Sequence, residues 1–339
     1  MAPYTPPTGS RADKLRLDFN ENTIGCSPRV LEALTSCLNG TALSMYPEYS
    51  AAMQDLAEFF NVSPEEFTMT NGTDEAIQLF INTFVDPGGD ALMLRPSYPL
   101  YRFYLQIAGA SIREVDLLDN FAFPTDQLLA AIRADTRAIF ISNPNNPTGG
   151  AVGHDLLESV LDAAPHAAVL IDEAYFEFCG VTVLPRLRYY PNLFVSRTFS
   201  KVYGMAGMRC GCLFSNAANV KWLRKAQSPF SVNVLALIAA RAAVKDTEFV
   251  ENYIKEILAA RDLACDGLRK LGIRFYPTHS NFVLFDAGNR AIPIRDALRG
   301  RGILVRERTS EIPGAVRLTI GTREQIQTFL TAMEQLWTR

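Results

Sequence analysis

The chain has 339 residues, with 33 Lys plus Arg against 36 Asp plus Glu and a formal charge of −3. Hydrophobic residues make up 48% and charged residues 20%, ordinary globular usage that excludes a disordered or fibrous chain. The near-balanced charge leaves no electrostatic footprint for nucleic acid or for an anionic membrane surface. Six scattered cysteines (Cys26, Cys37, Cys179, Cys210, Cys212 and Cys265) fit a reducing cytoplasm better than a disulfide framework. The opening residues lack a basic stretch followed by an apolar run, and no uncharged apolar stretch reaches the roughly 18–20 residues of a membrane span. Neither a secretory signal nor a membrane anchor is expected.

In chain order, the opening residues are rich in Pro and Thr and read as an extended arm. Ser27 as N-cap and Pro28 at the first helical position predict a helix over 28–38. A second helix is expected over 50–60, ending near Asn61. From Phe67 onward, short apolar runs alternate with helical patterns. Helices are expected over 74–84, where Ala76, Leu79, Phe80 and Phe84 share one face, and over 100–108 and 154–162. Strands are expected over 91–95, 139–142, 167–172, 193–197 and 210–214. Cys210-Gly211-Cys212 alternates with Leu213 and Phe214, so it reads as buried strand in preference to a redox or metal pair. Strands buried on both faces and separated by helices indicate a largely parallel sheet in an α/β domain. After about Ala243 the pattern becomes a long amphipathic helix over 249–271, strands over 282–285, 303–306 and 316–320, and a closing helix over 324–337. That is a smaller α+β unit.

Ligands bind at the carboxyl ends of strands in open α/β sheets, so the polar segments that follow strands carry the functional signal. Ser142-Asn143-Pro144-Asn145-Asn146-Pro147-Thr148-Gly149-Gly150 holds more prolines and asparagines than a tight turn requires. Asp172-Glu173-Ala174-Tyr175 places two carboxylates at the end of an apolar strand. Ser196-Arg197-Thr198-Phe199-Ser200-Lys201 ends on a lysine, the side chain that condenses with aldehydes. Ser200 and Arg209 could hold a phosphate, and Asn71-Gly72-Thr73-Asp74-Glu75 opens a helix with free backbone N–H groups, a second anion-binding device. Arg317, in Ala315-Val316-Arg317-Leu318-Thr319-Ile320, reads equally as the polar face of a strand or as a carboxylate-binding arginine. None of the three histidines (His154, His166 and His279) sits in a metal-ligand spacing, and no metal is expected.

An aldehyde-trapping lysine, an aspartate for a pyridine nitrogen and a phosphate cup are the protein's usual contributions to pyridoxal phosphate chemistry. The ordered set resembles the fold-type I aminotransferases, and within them it is similar to the histidinol-phosphate aminotransferases. The likeness runs from Leu17-Asp18-Phe19-Asn20-Glu21-Asn22 to Ile320-Gly321-Thr322-Arg323-Glu324. The resemblance implies a large pyridoxal-phosphate-binding α/β domain over 45–245, with a mostly parallel central sheet. It implies a small α+β domain made of 1–44 plus 246–339. Lys201 would be the Schiff-base lysine and general base, and Asp172 the partner of the protonated pyridine nitrogen. Tyr175 and Asn146 would bind the ring hydroxyl oxygen, and Tyr98 would stack on the ring. Thr73, Asp74, Ser200 and Arg209 would form the phosphate cup, completed by Tyr46 from the partner of a homodimer with shared active sites. Arg317 would bind the carboxylate of glutamate and 2-oxoglutarate, and with Arg306 the phosphate of histidinol phosphate. Arg308 is a near neighbour able to substitute for Arg306. Asn22 and Tyr4 would lie on the substrate side.

The chain departs from the family pattern at Thr23, where proline is common, and at Glu48, where aspartate is common. Two relatives stay open as alternatives: an aromatic or broad-range aminotransferase, and a threonine-phosphate decarboxylase. A non-catalytic cofactor-binding regulator would need an appended DNA-binding segment, and the first motif lies too near the start for one.

Overall fold

The structure is a computed structural model that describes residues 10–338. The strands are β1 (Leu15–Leu17), β2 (Phe67–Thr70), β3 (Asp90–Arg95), β4 (Ser111–Asp116), β5 (Thr136–Ser142) and β6 (Ala168–Asp172), then β7 (Leu193–Thr198), β8 (Gly211–Phe214), β9 (Phe282–Asp286), β10 (Ile303–Glu307) and β11 (Ala315–Thr319). They form a seven-stranded sheet, in the order β2-β8-β7-β6-β5-β3-β4, and a four-stranded sheet, in the order β1-β10-β11-β9.

The large sheet is parallel except at β8, which runs antiparallel to both its neighbours. Side chains alternate across a strand, so each central strand feeds two cores. Ile139, Ile141, Val169, Ile171 and Val195 enter one core, whereas Phe140, Leu170 and Phe194 enter the other. Helices cover both faces, which is why these strands read as continuous apolar runs.

Most of the expected elements form, with small shifts at their ends. Ser27 caps the helix Pro28–Cys37 by accepting a hydrogen bond from the Arg29 N–H. Asn61 ends the helix Ser50–Phe60 in the left-handed conformation, which asparagine tolerates. The long helix spans Thr247–Lys270. The edge strand β4 is half-exposed, with the polar sequence Ser-Ile-Arg-Glu-Val-Asp, and no apolar run announces it. The helices Thr125–Ala131, Ala217–Ala226, Val234–Ala243 and Ala291–Gly300 join those expected. Within the small sheet, β1 pairs in parallel with β10, which draws the N-terminal segment to the C-terminal strands. Among the described residues, no helix is long and apolar enough to cross a membrane.

Beside the end of β6, a buried ion pair locks the strand ends. Arg197 donates from Nε to Glu173 Oε2 at 2.8 Å, and its guanidinium lies 3.2 Å from the Phe176 ring centre. Glu173 also accepts from Thr182 Oγ1 and the Val183 N–H. Removing one partner of such a pair leaves an uncompensated buried charge. Arg197→Leu is expected to lower stability by about 3 kcal/mol, read as a lower urea midpoint at an unchanged slope.

Candidate active site

A cavity of about 520 Å³ is lined by Ser142, Asp172 and Thr198, at the carboxyl ends of β5, β6 and β7, and by Arg306 and Arg317 of the small sheet. The turn after β1 supplies Phe19, Asn20 and Glu21 to the same wall. Lys201 follows β7, and its Nζ donates to the Phe19 carbonyl at 3.0 Å. One amine thus reaches across to the N-terminal segment.

Asp172 is 3% exposed. Its Oδ1 accepts from Ser196 Oγ at 2.8 Å and from the Ala174 N–H at 3.2 Å, and its Oδ2 accepts from the Tyr101 hydroxyl at 2.6 Å. Burial pushes this carboxyl above its usual range, and the donors from Tyr101, Ser196 and Ala174 hold it down.

Tyr175 stands next to it. Its hydroxyl oxygen accepts from Asn20 Nδ2 at 3.0 Å and Asn146 Nδ2 at 3.2 Å. A hydroxyl has two acceptor sites and one proton, so the Tyr175 proton is left to donate into the cavity. Asn146 is oriented in turn by Arg317, whose Nη1 donates to its Oδ1 at 2.7 Å. Asn20 is held by Thr319, which donates to its Oδ1 and accepts from its backbone N–H.

A phosphate-sized cradle forms at the start of the helix Gly72–Phe84. Arg209 adopts the left-handed conformation and pairs with Asp74 at 2.9 Å. The Tyr98 hydroxyl donates to the other Asp74 oxygen at 3.0 Å. A Cβ on Gly72 would lie 2.4 Å from Arg209 Nη2, so glycine is what lets the guanidinium rest on the helix end. Thr73 and Ser200 line the same region.

The other end of the cavity is cationic. Arg306 and Arg317 are directly opposed on adjacent antiparallel strands, a like-charge pairing that costs stability unless an anion lies between them. Arg308 lines the cavity too and pairs with Glu311. The Nε atoms of Arg308 and Arg317 are buried without a hydrogen-bond partner. Burial pushes the Arg317 guanidinium down to about 10. Arrays of this kind bind carboxylates and phosphates.

A family model of the class I and II aminotransferases matches residues 12–333. The chain belongs to that family. Histidinol-phosphate aminotransferase 2 of Methylococcus capsulatus is 36% identical, over 99% of this chain and 96% of that protein. The histidinol-phosphate aminotransferase of a Geobacillus species is 34% identical, over 96% and 90% of the two chains. The crystal structure of the histidinol-phosphate aminotransferase from Clostridium acetobutylicum superposes with a TM-score of 0.89 at 26% identity, covering 96% of this chain and 99% of that one.

The residues of this aminotransferase fit pyridoxal 5'-phosphate: an amine, an aimed carboxylate, a free hydroxyl proton and an anion cradle share one cavity. Lys201, Asp172, Tyr175, Asn146, Tyr98, Thr73, Asp74, Ser200, Arg209, Arg306 and Arg317 all line it. Asn22 does not. It is buried, and its Nδ2 donates to the Val202 carbonyl, so it braces the Lys201 segment and does not face a substrate. Tyr46 is 78% exposed and stacks on Phe230 at 4.4 Å, outside its own chain's cavity. Tyr4 lies outside the described residues. Asn20, Tyr101 and Ser196 serve the site although the sequence motifs assign them no role in it. The signal for Tyr101 was its place one helical turn after Tyr98, and the signal for Ser196 its place opposite Asp172 on a neighbouring strand.

Gly72→Ala is expected to displace Arg209 and weaken pyridoxal phosphate binding about tenfold, roughly 1.4 kcal/mol. Equilibrium titration of the visible absorbance checks it, and unchanged affinity would remove Arg209 from the cradle.

Proposed function

We propose that this aminotransferase exchanges an amino group between L-histidinol phosphate and 2-oxoglutarate, giving imidazole acetol phosphate and L-glutamate, as a step of histidine biosynthesis. The observation that carries the substrate assignment is the cationic end of the cavity. Arg306 and Arg317 stand opposed there with Arg308 beside them, and a phosphate or a carboxylate answers the same charges. The full-length likeness to histidinol-phosphate aminotransferases supports the same reading.

When bound, pyridoxal phosphate supplies an aldehyde that condenses with amines and a ring that takes up the electron pair left when the substrate carbon loses its proton. The chain's own residues do the rest. Lys201 Nζ would anchor the cofactor and then carry the proton to and from the substrate carbon. Asp172 would hold a proton on the ring nitrogen and Tyr175 would donate its free hydroxyl proton to the ring oxygen, while Asn146 keeps Tyr175 in place. The Tyr98 ring, which lines the cavity, would stack on the cofactor ring. Thr73 and Asp74, at the helix start, would take the cofactor phosphate through their backbone N–H groups, together with the Ser200 hydroxyl and Arg209.

The same reading makes the protein a cytoplasmic homodimer. Support comes from large apolar side chains exposed on the single chain, Leu31, Leu38, Leu43, Met45, Tyr46 and Phe230 among them, of which Tyr46 and Phe230 stack on each other. In such a dimer Tyr46 would complete the partner's phosphate cup.

Coupled assays of histidinol phosphate, phenylalanine and threonine phosphate test the assignment. Histidinol phosphate is expected to have the highest kcat/KM, and Lys201→Ala to abolish both turnover and the visible absorbance. A preference for phenylalanine, or carbon dioxide released from threonine phosphate without 2-oxoglutarate, would replace it with one of the two relatives. Arg306→Ala is expected to raise the KM for histidinol phosphate at least tenfold, and to change that for phenylalanine about twofold. Equal effects would remove Arg306 from the phosphate site.

A further inference from the structure

The Tyr101 side chain is fully buried, with its ring 5.4 Å from Phe140 and 5.6 Å from Tyr98. Phenylalanine would fill this place as well. A hydroxyl buried there needs a partner, and its partner is Asp172 Oδ2 at 2.6 Å. The other oxygen of Asp172 accepts from Ser196 Oγ and the Ala174 N–H.

An ionised carboxylate only accepts hydrogen bonds, so donors on both oxygens select the anion. Burial selects the neutral acid, and the negative charge of Asp74 works in the same direction. The two tendencies oppose each other, and loss of a donor strengthens the side of the neutral acid. Tyr101 itself stays a neutral donor, because burial raises its phenol well above the ordinary value. The donors also come from separate elements: Tyr101 from the helix Pro99–Ile107, Ser196 from β7 and Ala174 from the loop after β6. Together they leave the carboxylate little freedom to rotate.

We propose that the Tyr101 hydroxyl is a positioning group for the reaction: it holds Asp172 ionised and in one orientation, and through Asp172 it sets the protonation of the cofactor's ring nitrogen. The proposal rests on the cofactor reading above. It assigns to Tyr101 a role that its apolar surroundings hide.

The test is Tyr101→Phe in the reconstituted holoenzyme, which keeps the ring and removes the hydroxyl. Weakening the Asp172 anion draws the ring proton toward the carboxylate and makes the ring less electron-withdrawing. The pH midpoint of the lysine-bound cofactor's visible band is then expected to rise by about 0.5 or more. The kcat should fall about tenfold while both KM values stay within about twofold. In an Asp172→Asn background the same substitution should add little, since the two residues act as one unit. An unchanged midpoint and kcat in Tyr101→Phe overturns the proposal, as does an equal loss in the Asp172→Asn background. If Tyr101→Phe does not fold, Ser196→Ala, which opens the other oxygen, should raise the midpoint as well, and no shift there overturns it. A wild-type chain that binds no pyridoxal phosphate overturns the functional reading and this inference together. A cofactor-loaded enzyme indifferent to Tyr101→Phe overturns the inference alone.

Discussion

Arg317 is the charge around which the cleft is built. Its guanidinium is buried and cannot be hydrated, so its donors must be met by protein groups or by a ligand. One reaches Asn146, in the loop after β5, and another reaches the Asp18 carbonyl, just after β1. Three segments far apart in the chain are thereby tied at one point. The consequence runs inward. Because the Asn146 oxygen is committed to Arg317, its amide nitrogen faces Tyr175, and Asn20 fills the other acceptor site of that hydroxyl. A single buried cation fixes which way a phenolic proton points.

The two sides of the cavity carry opposite charge for opposite reasons. At the end of β6, Asp172 accepts from donors on both its oxygens, which favour its anion against burial. On the small sheet, Arg306 and Arg317 repel one another across a strand pair, and Arg308 adds to the repulsion. Lys201 lies between, anchored to the Phe19 carbonyl. A cofactor with a cationic ring nitrogen and substrates with anionic groups fit this separation. Neither would be well placed with its ends exchanged.

Much of this was legible in the residues. Ser142, Asp172 and Thr198 stand at strand ends because apolar runs stop there, and runs of that kind can be read directly. The lysine, aspartate and arginine motifs occur in an order that is far more specific than any one of them. Other features were not legible. Asn20 and Asn22 share one motif and differ by two positions, yet Asn20 takes a left-handed backbone that turns it into the cavity while Asn22 braces the Val202 carbonyl. Tyr101 looks like a core aromatic, fully buried with its ring beside Phe140. Tyr46 is exposed in its own chain, and a role for it requires a second one.

By itself, the sequence determined the alternation that makes a doubly covered parallel sheet, the polar segments at its carboxyl edge and the class of cofactor those segments suit. These are local properties, set by period-two and helical spacing and by short motifs. Only the tertiary structure decided that β8 runs against its neighbours, that β1 joins β10, and which polar groups serve Asp172 and Tyr175. Tyr101 meets Asp172 across 71 residues of chain, and Asn20 meets Thr319 across 299. Hydrogen bonds of about 3 Å between such partners depend on where folding brings distant segments together, and no local periodicity encodes that proximity.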